Sequence, residues 1–256
     1  MSRSESLSTV RNAARVLKAF REGGPSLGVS ELARRLGLGK STVHRLLATL
    51  TEEGLLAHEP ETGLYRLGLA LYELGALVPA HLALHQAATP VIEALRYSTR
   101  ETVQVSVLDG REVVYVERLE SSYTLRIMGR VGHRMPAYCS SSGKVLLAYL
   151  PEERLDALLD GWAMHPFTAH TITESGRLRA ELRRVRGTGY AQNVNESEPG
   201  AASVAAPIRG VRGEVVAAVG AVGPTTRLSK ESMPRFAAAV VEAAGRLSAR
   251  LGAMGR

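Results

Sequence analysis

The sequence predicts an α+β protein with a small helical domain at the N-terminus and a larger mixed domain after it. Its 256 residues are 45% hydrophobic, which is long and apolar enough for two buried cores. Over the first fifty positions apolar residues recur at three- and four-residue steps, which is helical spacing. Around Asp109-Gly110 the spacing changes to two, and this pattern predicts an antiparallel sheet.

The net charge of +7 is concentrated near the N-terminus. Residues 1–50 hold nine Lys and Arg against three Glu, whereas residues 51–80 hold one Arg against five Glu. A basic N-terminal segment of this kind favours a nucleic-acid partner, although solvated helix faces would carry the same charges. The single cysteine, Cys139, excludes an internal disulfide framework and a multi-cysteine zinc site.

No targeting or membrane segment is evident in the sequence. Residues 1–6 are polar, and no stretch approaches the roughly 20 apolar residues that a membrane span needs. We therefore expect a cytoplasmic protein without a membrane partner.

Residues 1–67 are predicted to form a helix-turn-helix domain. A first helix over 10–20 ends at Gly23-Gly24-Pro25, and a short second helix begins near Ser30, a suitable N-cap. A glycine turn at 37–40 leads into a third helix, whose buried side is predicted to hold Val43, Leu46, Leu47 and Leu50. Two short helices joined by such a turn form a helix-turn-helix.

The opposite side of the third helix suits a DNA major groove. Arg45 can pair with guanine through two hydrogen bonds, and Lys40 at the helix start favours a phosphate. Small Ala48 would let the helix axis approach the bases. The residues predicted to contact DNA are Arg11, Lys40, Ser41, Thr42, His44 and Arg45.

A β-hairpin is predicted to follow the third helix. The apolar runs 55–58 and 64–67 flank Glu59-Pro60-Glu61-Thr62-Gly63, a turn-forming segment. Such a hairpin after a recognition helix is called a wing. The alternative is a helical cap whose hairpin touches no DNA.

These segments resemble the winged helix-turn-helix of IclR-type bacterial transcription regulators. The resemblance runs from Arg15 to Leu67 and rests on Glu31-Leu32-Ala33-Arg34-Arg35, Lys40-Ser41-Thr42-Val43-His44-Arg45-Leu46-Leu47 and Glu53-Gly54-Leu55-Leu56. It implies a sequence-specific DNA-binding regulator, and a repressor in particular, although the residues themselves leave repression and activation open.

The rest of the chain is predicted to hold a linker helix at 68–82 and a second domain at 83–256. Helix is expected over 67–100, divided or kinked by Pro79 and Pro90. Further helices are expected at 143–159, 174–186 and 230–251. The predicted strands are Val103–Val107, Val113–Val116, Tyr123–Met128, Ala201–Ile208 and Glu214–Val222.

This second domain resembles the effector-binding domain of the same family, which is related in shape to GAF-type small-molecule sensors. The matching segments are 131–136, 142–144, 171–173, 185–187, 189–191, 203–208 and 223–224. The resemblance implies a small organic effector as ligand. It also implies a homodimer or a dimer of dimers that reads a palindromic operator in double-stranded DNA.

One motif in the second domain admits an enzymatic interpretation. Ser141 and Lys144 satisfy the S-x-x-K pattern of some serine hydrolases, but the companion motifs S-D-N and K-T-G are absent. We therefore expect no enzyme and no catalytic residue, and interpret 141–144 as a small-residue loop leading into a helix N-terminus. The amides of that helix could hold an anionic or carbonyl-bearing ligand.

Cys139 has two interpretations. It could be a reactive thiol with His133 or His165 as base, but a lone cysteine beside a pocket is more often a small apolar wall residue, as we expect here. His165 and His170 match no metal-ligand spacing, and no metal or cofactor is expected.

The family resemblance also implies the ligand contacts. Asn193 stands where relatives that bind small oxo-acids have an acidic residue, and Ser203 stands where those relatives have a cysteine. Gly220 and Val222 replace hydroxyl-bearing residues, which favours a larger and less polar ligand, an aromatic acid or an acyl derivative. The predicted effector contacts are Met135, Ser141, Ser142, Asn193, Ser203, Gly220 and Val222. A sensor that acts only through protein partners is the remaining alternative.

Overall fold

The computed structural model describes residues 7–77 and 79–254. The chain divides into two compact units, Met1–Leu82 and Ala83–Arg256. Within the described ranges, no helix is both long and apolar enough to cross a membrane.

The N-terminal unit contains the three predicted helices and the predicted hairpin, followed by a further helix. Its helices are α1 (Ser8–Gly23), α2 (Val29–Leu36) and α3 (Lys40–Glu52), followed by strands β1 (Leu56–Glu59) and β2 (Leu64–Leu67) and by helix α4 (Leu69–Ala76). The strands pair antiparallel and form the wing, residues 56–67. Helix α3 buries the four predicted residues, Val43, Leu46, Leu47 and Leu50.

The start of α2 differs from the prediction. Ser30 lies inside the helix, and the N-cap is Gly28 in an extended conformation without a capping side chain. The Leu32 amide donates to the Gly28 carbonyl at 3.0 Å, which is the first hydrogen bond of the helix itself, so the first amides of α2 receive no capping bond from a side chain. At the other end, Gly37 has a φ of 64°, a left-handed conformation that glycine adopts without steric cost, and this starts the turn before α3.

The wing is attached to the helices through a contact that the sequence did not reveal. Leu27 and Tyr65 each donate an amide to the other's carbonyl at 2.9 Å, so a short bridge extends the hairpin. Both side chains are buried in the helical core. The wing is therefore positioned by the same core that positions α3.

The C-terminal unit is an antiparallel sheet with helices on both faces. Helix α5 (Pro79–Thr99) precedes β3 (Thr102–Asp109), β4 (Glu112–Leu119) and β5 (Arg134–Pro136), and helices α6 (Ser141–Ala148), α7 (Glu152–Leu159) and α8 (Ser175–Thr188) follow. The chain ends with β6 (Ala191–Val194), β7 (Ala201–Arg209), β8 (Val215–Pro224) and α9 (Met233–Met254). Among the described residues the strand order is β5-β4-β3-β8-β7-β6.

Each face of the sheet supports its own core. On one face Val103, Val105, Val204 and Val219 are buried in a core that includes residues of α5 and α9. The other face carries Ala205 and Ala218 into a core with α6 and α8. The polar residues that alternate with the valines of β3 are therefore buried as well, and Gln104 and Ser106 lie inside the protein.

Three predictions for the second domain are corrected by the structure. Tyr123–Met128 forms no strand, because its carbonyls accept hydrogen bonds from side chains: Arg227 Nη2 donates to Leu125 O at 2.9 Å and Arg118 Nη2 to Ile127 O at 2.6 Å. The single helix expected at 143–159 is divided into α6 and α7 at Pro151. Strands β5 and β6 were not predicted. Pro79 does separate α4 from α5, whereas α5 continues through Pro90.

Candidate functional site

The predicted DNA-contacting residues form an exposed surface on the N-terminal unit. Ser41, Thr42, His44 and Arg45 are exposed on α3, with Lys40 at its first turn, and Arg11 is exposed on α1. Within the described part of the chain, Lys40 and Arg45 have no ion-pair partner, so their charges remain available to an external anion.

Part of the basic charge of this unit has a structural use that the sequence did not show. Arg15 Nη2 donates to Leu36 O at 2.6 Å, which supplies a donor to the carbonyl end of α2. Arg35 forms an ion pair with Glu31 one helical turn away, at 2.7 Å. Fewer arginines are therefore available to bind an external anion than their number in the sequence indicates. The cations of α3 are the most suitable ones for that purpose.

A cavity of about 220 Å³ lies in the C-terminal unit, on the sheet face that packs against α6. Four of the seven predicted effector contacts line it: Met135, Asn193, Ser203 and Val222. Asn193, Ser203 and Val222 are directly paired across β6, β7 and β8, and strand pairing places such partners on one face of a sheet. The antiparallel register therefore brings together residues that are distant in sequence.

The other three predicted contacts are buried without lining the cavity. Ser141 Oγ lies 2.7 Å from Ser203 Oγ, so it supports a lining residue, and Ser142 Oγ is buried without a hydrogen-bond partner among the described residues. Gly220 contributes no spare volume, because a Cβ there would lie 2.8 Å from Val204 O. The glycine serves the close approach of β7 and β8, and only Val222 supports the argument for an apolar wall.

The structure corrects the interpretation of residues 141–144 as a loop, because they form the first turn of α6. Ser140 is the N-cap, and its Oγ accepts a hydrogen bond from the Gly143 amide at 3.1 Å. Ser140 also lines the cavity, so the positive end of the α6 dipole lies at the cavity wall.

Several cavity residues were missed by the sequence reasoning. Gln104, Tyr115, Arg118, His133 and Phe167 all line the cavity, and Tyr115 stacks with His133 at a ring-centroid distance of 6.1 Å. Burial raises the pKa of the Tyr115 hydroxyl to about 12, so the phenol stays protonated at neutral pH and can donate a hydrogen bond. The one signal in the sequence was the polar Gln104 between two valines of a predicted strand.

The geometry of α6 contradicts the interpretation of Ser141 and Lys144 as a hydrolase site. Lys144 Nζ lies 2.6 Å from Glu196 Oε1 and 3.4 Å from Glu181 Oε1. The hydroxyl of Ser141 forms a hydrogen bond with the hydroxyl of Ser203. Lys144 therefore forms ion pairs with two carboxylates and does not serve as a base for Ser141.

Cys139 belongs to the core and not, as expected, to the cavity wall. Its side chain is fully buried in the core that includes residues of α6 and α8, and it is absent from the cavity lining. Burial raises the pKa of the thiol to about 12, which also disfavours a reactive thiolate. In the part of the chain that the structure describes, no group of His, Cys, Asp and Glu is placed to hold a metal ion.

A winged helix-turn-helix with an exposed α3, joined in one chain to a second unit that carries a partly open cavity, is the arrangement of a ligand-responsive DNA-binding transcription regulator. Comparison with protein families gives the same class. The IclR helix-turn-helix domain matches residues 9–60, and the bacterial transcriptional regulator IclR C-terminal domain matches residues 77–249. The chain belongs to the IclR family of bacterial transcription regulators, which confirms the expectation that it is not an enzyme.

Relatives resemble the chain over nearly its whole length. The HTH-type transcriptional regulator XynR of Escherichia coli is 34% identical over 246 residues, which cover 96% of this chain and 98% of XynR. The crystal structure of an IclR homolog from Microbacterium hydrocarbonoxydans, complexed with 4-hydroxybenzoate, is 32% identical with a TM-score of 0.86 and covers 96% of this chain and 100% of that one. An IclR transcriptional regulator from Alicyclobacillus acidocaldarius is 29% identical with a TM-score of 0.82, at 96% and 100% coverage.

Proposed function

We propose that the C-terminal unit binds a small aromatic carboxylic acid and that this binding changes the affinity of α3 for operator DNA. The composition of the cavity wall carries the proposal. Tyr115 and Phe167 supply aromatic surface, Met135 and Val222 supply apolar surface, and a few polar groups are placed among them. Such a wall favours a ring with a polar substituent over a two- or three-carbon oxo-acid.

The size of the cavity and one relative support the same class of ligand. A cavity of about 150 Å³ in another protein accepts benzene, and the cavity here is about 220 Å³. The homolog from Microbacterium hydrocarbonoxydans holds 4-hydroxybenzoate. In this chain we assign Met135, Asn193, Ser203 and Val222 to direct contact, with Ser141 and Ser142 at the start of α6 behind them.

For DNA recognition we assign α3 to the major groove and residues 1–67 to the DNA-binding domain. Arg45 would read a guanine, Lys40 would hold a phosphate, and Ser41, Thr42, His44 and Arg11 would complete the contact surface. A dimer would present two such helices to a palindromic operator. Helix α4 supports a dimer, because Leu69, Tyr72 and Leu74 on it are all more than half exposed.

Two measurements on the full-length protein test this function. Duplexes selected from a random-sequence pool should bind with an affinity that falls steeply with salt, whereas a sensor that acts only through protein partners would show no such binding. Titration calorimetry should then detect 4-hydroxybenzoate but not glyoxylate or pyruvate, and the bound acid should shift the DNA affinity. Micromolar binding of glyoxylate or pyruvate without binding of any aromatic acid would overturn the assigned ligand class.

A further inference from the structure

We propose that Arg118 is the residue that recognises the carboxylate of the effector. The inference rests on the proposed function, since it requires that the cavity bind an acid. Among the described residues that line the cavity, Arg118 is the one lysine or arginine, and its side chain is only 5% exposed. A buried guanidinium at a cavity wall is a strong point of attraction for an anion, because little water screens its charge.

The guanidinium is held in place and still has donors to offer. Arg118 Nε donates to Glu120 Oε1 at 2.8 Å, Nη1 to Gln104 Oε1 at 2.8 Å and Nη2 to Ile127 O at 2.6 Å. These bonds use three of the five N–H donors that an arginine carries, which leaves two for a ligand. A carboxylate can accept two parallel hydrogen bonds from one guanidinium.

The charge around Arg118 is not balanced by the protein. Glu120 also accepts from Arg126 Nε at 3.0 Å, so two cations share one carboxylate and leave one positive charge uncompensated. Glu120 is 43% exposed, so solvent screens its charge and weakens its ion pair with Arg118. Among the described residues that line the cavity, the one acidic residue is Glu198, which is exposed and therefore screened. A monoanionic ligand would neutralise the remaining charge.

The buried lysine of the same unit offers no alternative anion site. Lys144 is already matched by Glu196 and Glu181. The N-terminus of α6 is the competing site for the carboxylate, and the experiment below separates the two.

The segment that covers Arg118 is shaped to its side chain. Gly129 lies directly over the guanidinium, where an added Cβ would come within 2.9 Å of Arg118 Cζ. Together with the bond to Ile127 O, this contact fixes the guanidinium before any ligand arrives. A fixed donor binds an acid at lower entropic cost than a mobile one.

The test compares an acid with its neutral amide on full-length protein by titration calorimetry. The probes are 4-hydroxybenzoate and 4-hydroxybenzamide, with pyruvate and pyruvamide as an aliphatic pair. The variants are Arg118→Gln and, to retain the charge without the planar fork, Arg118→Lys. The matched control is Arg126→Gln, which removes the other cation bound to Glu120 from a residue that does not line the cavity. Melting temperature and DNA binding establish that each variant is folded.

In the unmodified protein the acid should bind at least tenfold tighter than its amide. Arg118→Gln should lower the affinity for the acid about tenfold or more, to that of the amide, while the affinity for the amide changes less than threefold. Arg118→Lys should retain part of the preference, and Arg126→Gln should keep it within threefold.

The proposal is overturned if Arg118→Gln keeps the preference for the acid, which would place the carboxylate at the N-terminus of α6. If the proposed aromatic ligand class is wrong, the aromatic pair would not bind and only the aliphatic pair would. The comparison of pyruvate with pyruvamide would then still test the role of Arg118. If the unmodified protein binds no acid, or binds acid and amide equally, the assignment of Arg118 is wrong.

Discussion

Lys144 Nζ lies 2.6 Å from Glu196 Oε1, and the two side chains form an ion pair inside the C-terminal unit with exposures of only 1% and 11%. The pair joins α6 to the segment between β6 and β7, and Glu181 on α8 lies 3.4 Å from the same ammonium. The Glu196 amide donates to Asn193 Oδ1 at 2.9 Å, so the segment that holds the ion pair also positions a residue of the cavity wall.

Removal of the lysine from this pair should be costly. Lys144→Met keeps the length of the side chain but leaves Glu196 buried without its counter-charge, and we expect a loss of about 3–5 kcal/mol in the free energy of unfolding. Urea denaturation measures the loss. The double variant Lys144→Met/Glu196→Gln should recover much of it, because no unpaired charge then remains at this position. A free energy of unfolding for Lys144→Met within about 1 kcal/mol of that of the unmodified protein would contradict this prediction.

The thiol of Cys139 should be unreactive in the folded protein. Burial raises its pKa from 9.0 to about 12, so almost no thiolate exists at pH 8. Because the folded-state pKa is the higher one, the thiol stabilises the fold at pH values below 9, and this contribution is lost as the pH rises toward 12. A thiol reagent at pH 8 should label the native chain slowly and should label one thiol per chain once guanidinium has unfolded it. Rapid labelling of native protein would contradict the prediction.

Replacement of Arg45 should relax sequence preference on DNA. If Arg45 pairs with a guanine, Arg45→Ala should cost about 1–3 kcal/mol on the selected duplex and far less on a duplex with that base pair changed. Fluorescence anisotropy at fixed salt gives both affinities. Arg212→Ala, which removes an exposed arginine from the other unit, is the control. An equal loss on every duplex would instead identify Arg45 as a phosphate contact.

Helix α4 provides a test of the proposed dimer. Tyr72 is 76% exposed there, between the exposed Leu69 and Leu74. Tyr72→Glu should weaken self-association, because a buried carboxylate without a partner opposes the interface, and sedimentation equilibrium should show more monomer. DNA affinity should fall with it, since a monomer contacts one half-site. The control Val211→Glu makes a similar change at an exposed turn of the C-terminal unit. Unaltered association of Tyr72→Glu would place the dimer contact elsewhere.

Elements that depend on neighbours in sequence were predicted well. The buried side of α3 follows from helical spacing, and the turn between β3 and β4 follows from Asp109-Gly110. The errors occur where side chains replace backbone partners, as in 123–128, or where one proline divides a longer apolar pattern, as at Pro151. In these segments, contacts with other parts of the chain outweigh the local preference.

The sequence by itself determined the class of the protein, through the resemblance of its motifs to the IclR family, and also the position of α3 and the residues that face its core. The position of α3 and its buried residues follow from helix spacing and turn chemistry, which act within a few residues. Only the tertiary structure decided what the polar residues of the second unit do. Lys144 meets Glu196 across 52 positions of sequence, and Ser141 meets Ser203 across 62. The tertiary structure also brings Arg118 to the cavity wall and shows that Gly220 contributes no volume there. Hydrogen bonds and ion pairs of this kind depend on distance in space, which no spacing along the chain reveals.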